Sequence, residues 1–136
     1  METQKVVFVN KELNTRLAGL LRLPDGFDLS RNYPTIVVTG PMLSVKEQAQ
    51  SVYAARLTEA GYVTLVFDGT YFGESEGMPR FQELPNVKES DIEAAVAGLL
   101  VGLHSVLAVQ EHGKAQEQPV VKTLGLGCVV AAHEVP

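Results

Sequence analysis

Two short apolar runs, Thr35-Ile36-Val37-Val38-Thr39 and Tyr62 to Phe67, frame a stretch of helical periodicity, and this arrangement narrows the fold more than any other feature of the chain. A strand that alternates apolar and polar residues has one dry face, whereas a continuous apolar run needs cover on both. The first run breaks at Gly40-Pro41 and the second ends at Asp68-Gly69. Between them, Ser44-Val45-Lys46-Glu47 has the S-x-x-E form of a capping box and predicts a helix N-terminus at Ser44. Val45, Ala49, Val52, Tyr53 and Leu57 then recur at helical spacing, and Gly61 supplies a C-terminal stop. Strand, helix and strand in this order predict a parallel pair joined by a crossover.

Upstream, Lys5 to Asn10 and Arg16 to Leu23 read as an antiparallel pair joined by a polar turn. Downstream, residues 69–89 show no strong period and carry Gly, Pro and acidic residues, which predicts a long loop of the kind that is often functional. Ser90-Asp91-Ile92-Glu93 is a second capping box, and Ile92, Ala95, Val96, Leu99, Leu100, Leu103, Val106 and Leu107 form a wide apolar stripe after it. Glu111 to Gln118 reads as a polar linker, and Pro119 to Leu126 as a third parallel strand. The expected class is α/β: a mostly parallel sheet with an antiparallel N-terminal hairpin and flanking helices, in one domain spanning residues 1–136.

The chain has 136 residues, 46% of them hydrophobic and 20% charged, which is ample for a packed core. With 11 basic and 16 acidic residues the net charge is −5, so no basic surface invites nucleic acid or an anionic membrane. The single cysteine, Cys128, excludes an internal disulfide, and no Cys/His spacing suits zinc. No metal and no cofactor are expected. The N-terminus lacks a secretory pattern, and the uncharged run Ala94 to Val109 falls short of the roughly 20 residues of a spanning helix. A soluble, cytoplasmic protein is the expectation.

Several segments carry a family resemblance: Leu17-Ala18-Gly19-Leu20-Leu21-Arg22-Leu23-Pro24, Tyr33-Pro34-Thr35-Ile36-Val37-Val38, Val45-Lys46-Glu47-Gln48 and Gly61-Tyr62-Val63-Thr64-Leu65-Val66-Phe67-Asp68. Gly73-Glu74-Ser75-Glu76-Gly77 follows at a familiar distance. In their order and spacing these resemble the N-terminal half of an α/β-hydrolase domain, in particular the dienelactone-hydrolase-like branch. The resemblance is clear over residues 1–97, whereas 98–136 diverge. It implies a partial α/β-hydrolase fold from a lineage that cleaves small esters or related acyl compounds through a serine, and it implies that the triad acid and histidine come from later strands. The chain is therefore expected to be truncated or diverged, and catalytically incomplete as it stands.

Candidate site residues follow. Gly73-Glu74-Ser75-Glu76-Gly77 matches G-x-S-x-G literally, which makes Ser75 a candidate nucleophile. A nucleophile elbow, however, runs from strand to sharp turn to helix, and here Met78-Pro79-Arg80 follows instead. Glu74 and Glu76 also bring the wrong charge to a developing oxyanion. A Gly-rich loop is the plainer account. A second candidate elbow, Gly125 to Ala131, holds Cys128, with Val130 in the slot where the resemblance places a nucleophile. Cys128 reads more readily as a small core residue. The resemblance implies an oxyanion donor in the loop Thr39 to Ser44; Pro41 has no N–H, so Met42 or Leu43 would donate. Many relatives have histidine where this chain has Gly40, and a tight strand-to-helix turn explains the segment as well. His104, His112 and His133 read as packed or solvated, and Asp68 as a strand-end acid or a turn residue.

Two functional expectations result. One is the incomplete ester or acyl hydrolase, with a possible small ester-type substrate. The other is an interaction module, possibly a homo-oligomer, pairing through an open sheet edge near Val120 to Leu124. A nucleotide-binding domain is disfavoured, since neither a G-x-G-x-x-G after a strand nor a Walker A run is present.

Overall fold

The computed structural model describes residues 1–28, 30–31, 33–107, 120–124 and 128–135, with side chains described up to Leu99. Strand β1 (Glu2–Asn10) and strand β2 (Thr15–Leu23) form the expected antiparallel hairpin, with Asn10 opposite Thr15. The turn between them is fixed by Asn10 Oδ1, which accepts from the backbone N–H of Glu12 at 3.1 Å and of Leu13 at 3.2 Å. Strand β3 (Tyr33–Val38) lies parallel to β4 (Val63–Phe67), joined through helix α1 (Ala49–Glu59). β2 pairs antiparallel with β4 on its other side.

The two apolar runs are buried on both faces, as their composition requires, and period-two alternation sorts their side chains. Val37, Leu65 and Phe67 pack with Leu17 and with Ile92, Ala95 and Val96 of helix α2 (Pro85–Leu107). Ile36, Val38 and Val66 pack with Ala54 of α1. The helices therefore cover opposite faces, and each large aliphatic side chain buried this way contributes about 1.5–3 kcal/mol. Gly98 lets α2 cross β1 closely: a Cβ there would lie 3.2 Å from that of Phe8. Phe8 in turn meets Phe67 edge-to-face at 5.6 Å.

Three expectations need correction. First, α1 begins at Ala49, after Gln48, and no side chain caps it. Ser44 instead donates to the Pro41 carbonyl at 2.7 Å, because residues 44–48 are held across the end of β4 by Lys46. The buried stripe of α1 is Gln50, Ala54 and Thr58, whereas Val52 (64% exposed) and Tyr53 (56%) face outward. Thr58 is compensated by hydrogen bonds to the Ala54 carbonyl at 2.9 Å and to Thr64 at 2.8 Å.

Second, α2 starts at Pro85 rather than Ser90. Proline suits the first helical position, where its missing N–H costs nothing. Ser90 and Asp91 lie inside the helix with side chains committed to Asn10, Glu12 and Thr70. Third, β5 (Val120–Leu124) is not a parallel strand. It pairs antiparallel with β6 (Cys128–Val135), which pairs antiparallel with β3. Only residues 125–127 separate the two strands, and so short a link permits a hairpin but no parallel crossover. Among the described residues the sheet is six-stranded and mixed, in the order β1-β2-β4-β3-β6-β5, which leaves β1 and β5 at its two edges.

Candidate functional site

The chemistry-bearing residues converge where the C-terminal ends of β3 and β4 feed the segments 39–48 and 68–84. Open α/β sheets place their ligand sites at this end of the strands. Two neighbouring assemblies occupy the region, and they differ in kind.

The first is built on Asp68, which is wholly buried. Its Oδ1 accepts from the Lys46 backbone N–H at 2.7 Å. Its Oδ2 accepts from Lys46 Nζ at 2.7 Å and from the Glu74 backbone N–H at 3.0 Å. Lys46 is 2% exposed and also reaches Glu47 at 2.8 Å and Glu74 at 2.9 Å. Burial alone would lower the pKa of its ammonium, but hydrogen bonds to Asp68, Glu47 and Glu74 hold it above the ordinary lysine value. The Glu74 carboxyl is held below its ordinary value by its hydrogen bond and charge interaction with Lys46.

Ser75 belongs to this assembly. It is 3% exposed; its hydroxyl donates to the Asp68 carbonyl at 2.5 Å and accepts from the Ala18 N–H at 3.0 Å. Arg80 ties the same loop from outside, donating to the carbonyls of Ser75 (2.7 Å), Gly77 (3.1 Å) and Gly73 (2.7 Å). Gly73 sits at φ +50°, and a Cβ there would come within 3.0 Å of every atom of the Asp68 carboxyl group. The two outer glycines and the serine of G-x-S-x-G thus wind a loop around Asp68 and the hairpin. The serine hydroxyl is committed in both directions, and no helix follows until Pro85.

The second assembly is a cleft holding about 440 Å³, counting the part open to solvent. Thr39, Gly40, Pro41, Ser44 and Gln50 line one side, and Glu83, Leu84, Val87, Lys88 and Asp91 the other, over Phe67, Thr70 and Phe72. Met42 is 73% exposed on the strand-to-helix turn. Leu43 stands at φ +57°, a conformation a branched side chain enters only when its surroundings impose it. Its N–H donates to Glu83 Oε2 at 3.1 Å. The other oxygen of Glu83 takes Lys88 Nζ at 3.2 Å, and Lys88 also donates to the Gly40 carbonyl at 3.0 Å. Of the two oxyanion-donor candidates, Leu43 thus already holds a carboxylate oxygen.

Asp91, also buried, accepts from Asn10 Nδ2 (2.8 Å), the Thr70 N–H (2.7 Å) and Thr70 Oγ1 (2.8 Å). It fastens the β1–β2 turn, the loop after β4 and α2 to one another. Like Asp68, it is buried and receives three donors, which holds it in place as a structural acceptor. Sequence reasoning missed Glu83, Lys88, Gln50 and Lys46. The run of Glu83 and Lys88 across a proline-started helix end is the one signal that pointed to the first two.

Cys128 opens β6, with its residue partner Leu124 across the hairpin, and Val130 pairs with Val38. A strand follows where an elbow needs a helix. The side chains of Cys128, His104 and His133, and the whole of His112, lie outside the described residues. Among the described residues no group of His, Cys, Asp and Glu is arranged to hold a metal ion, and no helix is long and apolar enough to cross a membrane.

No protein-family model matches the chain. It is 40% identical over 97 residues to the uncharacterized protein YcjY of Escherichia coli, covering 71% of this chain and 32% of that protein. It is 43% identical over 96 residues to the uncharacterized protein PA2218 of Pseudomonas aeruginosa, covering 71% of this chain and 25% of that one. The chain thus spans about a third or less of the length of the curated relatives it matches. The crystal structure of PA2218 superposes with a TM-score of 0.66 at 40% identity, over 72% of this chain and 30% of that one. The α/β hydrolase GrgF from Penicillium sp. sh18 gives 0.62 at 20% identity over 71% and 32%. The Pyrococcus furiosus esterase Pf2001 gives 0.56 at 22% identity over 72% and 35%. The matched part of this chain has an α/β-hydrolase-like fold.

Proposed function

We propose that the chain, from a hydrolase-like lineage resembling the dienelactone-hydrolase branch, forms the oxyanion-side wall of a small-acyl-compound site and does not supply the nucleophile from its G-x-S-x-G loop. The observation that carries this is the Leu43 N–H on Glu83 at 3.1 Å. A strand-to-helix turn that aims a backbone donor at a negatively charged oxygen does what an oxyanion donor must do. Glu83 fills the position, and Lys88 balances its charge.

The experiment is a backbone amide NMR titration of butyrate into Glu83→Ala and into the unmodified chain. Removing the resident carboxylate should let butyrate shift the Leu43 amide in the variant, with about tenfold weaker binding to the unmodified chain. A Leu43 amide indifferent to butyrate in both proteins would sink the reading.

A second reading has its own support. Among the described residues β5 is an edge strand, paired with β6 on one side, and an edge strand carries unpaired backbone groups. On this reading the chain pairs edge to edge with a second copy. Light scattering that returns a monomer at all concentrations would remove it.

A further inference from the structure

We infer that the cleft binds a neutral short-chain compound through a hydroxyl or amide N–H donated to Gln50 Oε1. Gln50 lines the cleft and is 2% exposed. Its Nε2 reaches Ser44 Oγ at 3.4 Å, while Oε1 is buried with no hydrogen-bond partner among the described residues. A buried acceptor left unpaired is costly and uncommon in folded proteins, so its presence in a cleft marks a place where a donor arrives.

Gly40 lets the Gln50 amide pack against the turn at this edge of the cleft. A Cβ on Gly40, itself a lining residue, would come within 3.0 Å of both Ser44 Oγ and Gln50 Oε1. The charged groups around the cleft are already committed: Asp91 to Asn10 and Thr70, Glu83 to Leu43 and Lys88, Lys88 to Glu83 and the Gly40 carbonyl. An incoming anion would face Asp91 and Glu83, and an incoming cation would face Lys88. A neutral donor meets neither penalty. Phe67, Phe72, Leu84 and Val87 supply apolar surface for the rest of the molecule. In the acyl-site reading, on which the substrate assignment rests, the ligand is a hydroxylated or amide-bearing short acyl ester.

The test uses the full chain and methyl 3-hydroxybutyrate, with methyl 3-methoxybutyrate as the same molecule lacking the donor and methyl butyrate as a smaller control. Shifts of the Gln50 side-chain amide and the Thr70 backbone amide are followed by NMR. The hydroxy ester should bind about tenfold more tightly than either control, the worth of one neutral hydrogen bond to a buried acceptor. In Gln50→Leu, checked for native amide dispersion, that ratio should fall to about one. Should the variant not fold, the ratio in the unmodified chain decides by itself.

Equal binding of the three esters, or no shift with any of them, overturns the inference and leaves Gln50 Oε1 to a bound water. The two readings fail separately. If butyrate never reaches Leu43 in Glu83→Ala but the hydroxy ester still shifts Gln50, the acyl-site reading falls and the donor site stands. If butyrate binds and the hydroxyl gains nothing, the donor site falls alone.

Discussion

The loop around Asp68 and the cleft beside it draw on adjacent segments of chain, yet one is closed and the other open. Around Asp68 each buried polar group that the sequence made conspicuous has its partners: the carboxylate has three donors, and the Ser75 hydroxyl both gives and receives. In the cleft, a glutamate side chain occupies a backbone donor and a buried amide oxygen has nothing. Saturation is the mark of a structural assembly, whereas an unpaired buried acceptor that lines a cleft leaves a place for an incoming donor. The literal catalytic motif falls in the saturated region.

If the Asp68 assembly is structural, its loss should appear in stability. The largest effect is expected from Asp68→Asn, which leaves the Lys46 ammonium in place with its buried counter-charge removed. About 4 kcal/mol should be lost in urea unfolding, within the range for breaking a buried ion pair from one side. A loss below about 1 kcal/mol would show that Glu47 and Glu74 suffice and that the comparison is overdrawn. Gly73→Ala comes next. The positive φ costs about 1 kcal/mol and the clash with the Asp68 carboxyl about 2 more. Gly26→Ala shares the positive φ (+69°) but has open space around it, so it should cost only the first part. Equal losses at the two glycines would remove the packing argument.

How much of this was legible in the sequence divides along the same line. The hairpin, the doubly covered strands and the stripe Ile92, Ala95, Val96 were readable, because burial of aliphatic side chains follows the period of the element. The stripe on α1 was not. Gln50 and Thr58 are buried because specific partners or a cleft receive them, and no periodicity encodes that, so helical spacing points inward at Val52 and Tyr53 although both are exposed. Two capping-box matches misplaced helix starts, since Ser44 and Ser90 serve contacts that lie close in space but not always in sequence: Pro41 for one, Asn10 and Glu12 for the other. The Lys46–Asp68 pair joins residues far apart along the chain, with nothing local to announce it. The β5–β6 hairpin did have a signal, the three-residue Gly125-Leu126-Gly127 link between two apolar runs.

The smallest expected effect is on pH dependence. Glu74 has its folded-state pKa lowered from 4.5 by Lys46, so its contribution is complete above that value and is lost as the pH falls through the lowered one. Lys46, raised from 10.5, contributes fully below that value and loses its contribution only on the alkaline side. Glu74→Gln should therefore flatten the acid limb of a stability–pH curve. An acid limb identical to that of the unmodified chain would show that the exposed Glu74 adds nothing to the buried Lys46 in solution.

The central claim, that Ser75 is a structural residue despite its motif, is tested most directly by intact-mass analysis and peptide mapping of the folded chain after exposure to a fluorophosphonate. The account predicts no adduct at Ser75, because the hydroxyl is buried and bonded to Asp68 and Ala18. A single adduct mapped to Ser75 would contradict it and make the G-x-S-x-G loop a working nucleophile.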